Sequence, residues 1–275
     1  MTDNDRPLIL LTNDDGIRSP ALWAAAEALS EIGFVTVAAP REQSSGAGRS
    51  MPVTSDGKLL EEQVNVRGKN WKVYAVGGSP AQAVQHGILE LMPRQPDLVV
   101  AGINYGENLT TGITVSGTVG AALEGASFGV PALAVSLEMP AEYYLSHSDT
   151  IDFRVAKYFT AYFARVLIGM KPMTDVDVLK VDIPSDASET TEWRMTRLSR
   201  QKYYVPVVSP RMQLEDPANI KFEINLDRDK IELDSDVYAL RIDRIVSVTP
   251  ISLDTTSRVD LSELENHLKS QRSQG

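Results

Sequence analysis

Leu8-Ile9-Leu10-Leu11-Thr12-Asn13-Asp14-Asp15-Gly16 is an apolar run that stops in an amide, two carboxylates and a glycine. The next two dozen residues complete a β-α-β unit. Ser19 stands where it can cap a helix, Pro20 suits a first helical position, and Ala21 to Glu31 are good helix formers. Gly33 ends that helix, and Phe34-Val35-Thr36-Val37-Ala38-Ala39 makes a second buried strand. Such a crossover implies parallel strands. The Asn-Asp-Asp-Gly end admits two readings. These residues tolerate tight turns, so the motif alone reads first as a turn. Yet two unit charges about 4 Å apart repel by roughly 4 kcal/mol at an effective dielectric near 20. A fold keeps such a pair at small cost only if it is well solvated, shares a proton or holds a cation.

The alternation continues down the chain. Trp71 to Val76 reads as a strand, and after Gly77-Gly78 the pair Ser79-Pro80 opens a helix through Met92 with the same cap chemistry. Asp97 to Ala101 is a strand, residues 102–117 a Gly/Asn/Thr loop, Thr118 to Phe128 a helix stopped by Gly129, and Pro131 to Leu137 another strand. Residues 151–169 read as helix and Asp177 to Ile183 as strand. Strands alternating with helices predict a doubly wound, Rossmann-like three-layer α/β/α sandwich over residues 1–190. The loops at 13–16, 40–50 and 102–118 all follow strands, so they should converge at the strands' C-terminal ends, where ligands bind in such sheets. Beyond residue 190, Trp193–Leu198, Tyr203–Val208, Phe222–Leu226 and Val237–Thr249 alternate like strands with turns between them. Residues 191–265 therefore read as a C-terminal β-hairpin extension, an oligomerisation arm, and residues 266–275 as a frayed polar tail.

Composition limits the chemistry. The chain has 275 residues, 43% of them apolar, and no apolar run long enough for a transmembrane helix, so no membrane partner is expected. Its polar, acidic start is unlike a signal peptide, and it has no cysteine; a cytoplasmic protein fits. Twenty-seven basic against 37 acidic residues give a net charge of −10, which argues against a nucleic-acid polymer as partner. A small phosphorylated substrate stays compatible if a cation inverts the local field. The three histidines, His86, His147 and His267, are too scattered for a zinc site, and His86 reads as a packing or surface residue. Any metal should be held by oxygen, which points to Mg²⁺, Mn²⁺ or Ca²⁺.

Three loops carry the remaining chemistry. Pro40-Arg-Glu-Gln-Ser-Ser-Gly-Ala-Gly-Arg-Ser50 has hydroxyls and glycines that let backbone approach a ligand, or it is an ordinary surface loop. Asn104 and Asn108 follow a buried strand; an Asn oxygen can ligate a hard metal, and its NH₂ can donate to phosphate. Ser116 and Gly117 sit where a helix begins, with Thr118 in its first turn, so free amides and the helix dipole make an anion site. Gly120 and Gly125 inside that helix imply close packing against the sheet. There is no Walker Lys and no G-x-G-x-x-G after the first strand, so ATPase and dinucleotide readings fall. Two carboxylates, a hydroxyl, an amide oxygen and an anion-binding helix start are the equipment of metal-assisted phosphate ester hydrolysis.

Thr12-Asn-Asp-Asp-Gly-Ile17, Arg-Glu-Gln-Ser with Ser45-Gly-Ala-Gly, Val99-Val-Ala-Gly-Ile-Asn-Tyr-Gly-Glu-Asn108 and Ser116-Gly-Thr-Val-Gly-Ala-Ala122 together resemble the SurE (stationary-phase survival protein) family. A weaker echo at Val246-Ser-Val-Thr-Pro250 extends the likeness to a last strand, 237–249, that returns to the core. The resemblance implies a divalent-metal-dependent phosphomonoesterase acting on nucleoside 5′-monophosphates, and on 3′-monophosphates as well. It implies one Mg²⁺ or Mn²⁺ per subunit on Asp14, Asp15, a loop serine and Asn104. Ungapped alignment from Pro40 to Ser50 selects Ser45 as that serine, with Ser44 as the alternative. Asn108, Ser116, Gly117 and Thr118 would hold the phosphate, Asp14 would take a proton from the attacking water, and Asp14, Asp15, Asn104 and Ser116 would form the catalytic set. Arg49 and Tyr105 stand where many family members have His and Arg, so contacts to the nucleoside differ there. The family's dimers and tetramers imply a homo-oligomer. A broad-specificity acid phosphatase or exopolyphosphatase and a non-catalytic nucleotide-phosphate sensor remain as alternatives. An aspartyl-phosphate phosphatase would generally carry Asp-x-Asp, not adjacent carboxylates.

Overall fold

The computed structural model describes residues 6–66, 68–144, 148 and 150–272. His147 lies outside them. The chain runs β1 (Leu8–Thr12), α1 (Pro20–Ser30), β2 (Phe34–Pro40), β3 (Leu59–Val66), β4 (Lys69–Val76), α2 (Pro80–His86), β5 (Leu98–Tyr105), α3 (Gly117–Ser127), β6 (Ala132–Leu137), α4 (Arg154–Gly169) and β7 (Val178–Ile183). It continues through β8 (Trp193–Met195), β9 (Tyr204–Val208), β10 (Ile220–Ile224), β11 (Val246–Ile251) and α5 (Leu261–Arg272).

One sheet orders its strands β3-β4-β2-β1-β5-β6-β7-β11-β8. From β4 to β7 the pairing is parallel, while β3 and β11 lie antiparallel to their neighbours β4 and β7. β1 shows why the first apolar run has no polar alternation. Ile9 and Leu11 pack with α1 and α4 on one face, Leu10 packs with α2 and α3 on the other, and all three are completely buried. This is the doubly wound α/β sandwich expected. Because β1 leads to β2 on one side and the later strands follow β5 on the other, the chain reverses direction across the sheet between β1 and β5. That gap is a topological switch point.

Several elements depart from the sequence reading. Ser79 forms a capping box, its Oγ accepting from Gln82 N (3.1 Å) while Gln82 Oε1 accepts from Ser79 N (3.0 Å); Ser19 makes no such side-chain cap. Residues 193–198 do not form a hairpin of the arm, because β8 pairs in parallel with β11 at the edge of the main sheet. Residues 237–249 are not one strand: Tyr238–Ile242 forms a helical turn, and only Val246 onward joins the sheet. β9 and β10 do form a separate antiparallel hairpin. Residues 266–272 of the tail read as frayed belong to α5, a helix on which Leu261, Leu264 and Leu268 are exposed.

Candidate active site

The turn after β1 is real, and Asn13 closes it. Asn13 Oδ1 accepts from Gly16 N and Asn13 Nδ2 donates to Gly16 O, both at 3.2 Å. Gly16 has φ +95°, a conformation that favours glycine. Asn13 and Gly16 thus do the turning, and the side chains of Asp14 and Asp15 are left for other contacts. Both are buried, at 4% and 2% exposure, which rules out the well-solvated pair.

Asp14 meets the start of α3. Thr118 Oγ1 donates to Asp14 Oδ1, and the nearby Gly117 and Thr118 amides favour the ionised form of the same carboxyl. Gly117 permits this approach, since a Cβ there would fall 2.6 Å from Asp14 Cβ. The helix start expected to cradle phosphate therefore spends part of its donor capacity on Asp14. Ser116 caps α3, accepting from Val119 N at 3.2 Å.

Asp15 is held from two loops. Gln43 Nε2 donates to Asp15 Oδ1 (3.3 Å), and Tyr105 N to Asp15 Oδ2 (3.4 Å). The same Gln43 nitrogen donates to Ser45 Oγ (3.0 Å) and to Tyr144 O (2.9 Å), so one amide gathers Ser45 beside Asp15. Ser44 faces elsewhere. Its Oγ donates to Glu42 O, and it lines an open cavity of about 390 Å³ with Arg41, Asp56 and Gly77. The loop reaches the site because it lies on α3. A Cβ on Gly120 would sit 2.3 Å from Gly48 O, so this glycine packs against the loop and not the sheet; Gly125 does pack on the sheet, against Val99.

Asn104 arrives through a bulge. The β5–β6 register shifts between Ala101 and Asn104, which re-aims the end of the strand. Asn104 Nδ2 donates to Gly106 O (2.7 Å), leaving Oδ1 3.2 Å from Thr118 Oγ1, the hydroxyl that also meets Asp14. Asn108 Nδ2 donates to Ser136 Oγ at 2.9 Å, and Ser136 is the register partner of Asn104. Asp14, Asp15, Ser45, Asn104, Asn108, Ser116, Gly117 and Thr118 thus gather at the β1–β5 switch point. The sequence reading missed Gln43, Ser136 and the hydroxyl of Thr118. Gln43 was adjacent to the loop serines and Ser136 near the end of a buried strand, the only signals they offered.

The electrostatics favour a cation. Burial raises the Asp14 carboxyl above its ordinary range; burial and then the Asp14 charge push Asp15 up to about 8. Among the described residues no three His, Cys, Asp or Glu side chains cluster as a metal site. A cation here would rest on two carboxylates completed by neutral amide and hydroxyl oxygens, a hard donor set that suits Mg²⁺ or Mn²⁺. Arg49 turns back onto α3, where its Nε bonds Glu124 at 2.7 Å, and the Tyr105 ring packs edge-on to Phe153 in the core. His86 pairs with Glu90 on the chain continuing from α2.

A family model described as "Survival protein SurE" matches residues 9–205. A protein named 5′-nucleotidase SurE from Thermococcus gammatolerans is 42% identical over 262 residues, covering 94% of this chain and 95% of its own. The protein of that name from Methanosarcina mazei is 38% identical over 271 residues, covering 95% and 98%. The crystal structure of the SurE protein from Aquifex aeolicus superposes with a TM-score of 0.73 at 28% identity, covering 97% of this chain and 100% of that one. The chain belongs to the SurE family.

Proposed function

We propose that this chain is a divalent-metal-dependent phosphomonoesterase that hydrolyses nucleoside 5′-monophosphates, and secondarily 3′-monophosphates, to nucleoside and phosphate. The observation that carries it is the meeting of buried Asp14 and Asp15 with Asn104 Oδ1 beside the start of α3, with the exposed Ser45 hydroxyl joined to Asp15 through Gln43. The names of the relatives support the nucleotide as substrate class.

Asp14, Asp15, Ser45 and Asn104 would hold one Mg²⁺ or Mn²⁺. When bound, that ion supplies charge neutralisation and Lewis-acid polarisation of the phosphoryl group. The chain does the rest. Asn108 and Ser116 donate to phosphate oxygens, and the Gly117–Thr118 edge orients Asp14 while adding its partial positive charge. Gln43 keeps Ser45 against Asp15. Asp14 would take the proton of the water attacking phosphorus.

The cysteine-free, acidic composition fits a cytoplasmic enzyme, and no described helix is long and apolar enough to cross a membrane. The leucine stripe of α5 and the β9–β10 hairpin fit association with further copies as a homodimer or homotetramer. Phosphate release from a panel of nucleoside monophosphates in EDTA, Mg²⁺ and Mn²⁺ tests the function. Turnover only with metal, strongest on 5′-monophosphates, is expected. Saturable binding without phosphate release would leave a sensor, and preference for polyphosphate would favour an exopolyphosphatase.

A further inference from the structure

Asn108 hangs from a buried ion cluster that the hydrolytic chemistry does not itself use. Lys180 and Asp182 on β7, and Asp236 in the segment between β10 and β11, are all completely buried. Lys180 Nζ donates to Asp182 Oδ2 and to Asn108 O (2.7 Å), and lies 3.4 Å from Asp236 Oδ2. Asp182 Oδ1 accepts from Asn108 N at 2.7 Å. One ion pair therefore holds both backbone polar groups of Asn108.

Asp236 extends the grip. Its Oδ2 accepts from Thr110 N (2.8 Å), and its Oδ1 from Ser199 N (3.0 Å) and Val237 N (2.9 Å). Thr110 has φ +61°, a conformation a β-branched residue rarely adopts and keeps only where its surroundings impose it. Between them, Leu109 is completely buried in a cluster with Tyr203, Val237 and Leu240. Residues 108–110 thus have their course dictated by β7 and the C-terminal segment.

We propose that Lys180, Asp182 and Asp236 are positioning residues for phosphate binding, fixing the 108–110 backbone so that Asn108, tied to Ser136, meets a phosphate oxygen. This rests on the reading of Asn108 as a phosphate contact. Charged groups suit this role, because hydrogen bonds to them are stronger than neutral ones and a buried cluster has few alternative arrangements. The cluster touches none of the residues assigned to the metal, so it acts on phosphate without acting on the ion.

The test compares inhibition by inorganic phosphate with affinity for Mn²⁺ in the full chain. Asp182→Ala removes the acceptor of Asn108 N and should weaken phosphate inhibition by roughly tenfold, the worth of one such bond, with Mn²⁺ affinity unchanged. Asp182→Asn retains an acceptor oxygen and should restore native inhibition. If Asp182→Ala does not fold, the double variant Lys180→Met with Asp182→Leu removes the pair together, a replacement buried ion pairs often tolerate, and should show the same selective loss. Asn108→Ala separates the two layers. Native phosphate inhibition in that variant overturns the Asn108 reading and this proposal with it. Weakened inhibition there, but native inhibition in a folded variant lacking the pair, overturns the positioning role alone. Equal loss of phosphate and Mn²⁺ binding without rescue by Asp182→Asn would mark a merely structural cluster and also overturn it.

Discussion

Asp14 and Asp15 are neighbours in sequence with different surroundings. Asp14 receives the Thr118 hydroxyl at the start of α3, whereas Asp15 receives long bonds from Gln43 and Tyr105 and bears the Asp14 charge. Burial raises both carboxyls, and a cation would favour the ionised form of each. Asp15→Asn should lower kcat/KM by about 10³-fold, since metal ions supply several kcal/mol of charge stabilisation. The same variant keeps one of the two acceptor oxygens and puts a neutral amide where the raised carboxyl is already mostly protonated, so its melting temperature in EDTA should stay close to the native one. Activity that persists, still metal-dependent, would contradict the assignment. A large fall in melting temperature would mean that Asp15 is structural.

At the scale of elements, the site depends on how closely α3 lies against its neighbours. An alanine at Gly120 would improve helix propensity by about 1 kcal/mol. Its Cβ would also fall 2.3 Å from Gly48 O, in the loop that carries Ser45. Overpacking of this kind costs about 1–3 kcal/mol, so Gly120→Ala should lower both the melting temperature and kcat/KM. A stabilised, fully active variant would show that loop and helix are not so coupled. β7 yields a prediction about pH. Burial, against the pull of Lys180, holds the Asp182 carboxyl up at about 6, above its ordinary 3.8. The folded chain therefore keeps a proton that the unfolded chain releases between those values, and this contribution to stability is lost as pH rises through that window. Asp182→Asn does not titrate and leaves Lys180 paired with Asp236. Its melting temperature should gain on the native protein between about pH 4 and pH 7; a relative loss would contradict this sign.

The same elements mark what the sequence could and could not disclose. β1 is legible because burial on both faces makes it continuously apolar, and the Ser79 helix start because its cap is local. β3 escaped because Leu59–Val66 mixes Glu, Gln and Asn into an exposed edge strand. The last strand does return to the core as expected, though only from Val246, whereas the place of β8 escaped because its pairing with β11 is non-local. In the site, residue types and strand ends were readable, whereas Gln43 joining Asp15 to Ser45 depends on side-chain directions that spacing does not encode.

Across the whole molecule, a sandwich with its site at the C-terminal ends of its central strands also carries a hairpin and a last helix that leave apolar side chains exposed. Leu261, Leu264 and Leu268 lie at helical spacing and are exposed, as are Ile220, Phe222 and Ile224 on the hairpin. Such surfaces fit the homo-oligomer proposed above. Leu264→Glu with Leu268→Glu should lower the mass seen by light scattering without lowering helix content; a native protein that is already monomeric would contradict the assignment. The proposed chemistry rests above all on one divalent ion held by Asp14, Asp15, Ser45 and Asn104. Calorimetric titration of the metal-free protein with Mn²⁺, native chain beside Asp15→Asn, asks for that ion directly. One site per chain in the native protein and its loss in the variant are expected, and unchanged Mn²⁺ binding in a folded Asp15→Asn would contradict the assignment.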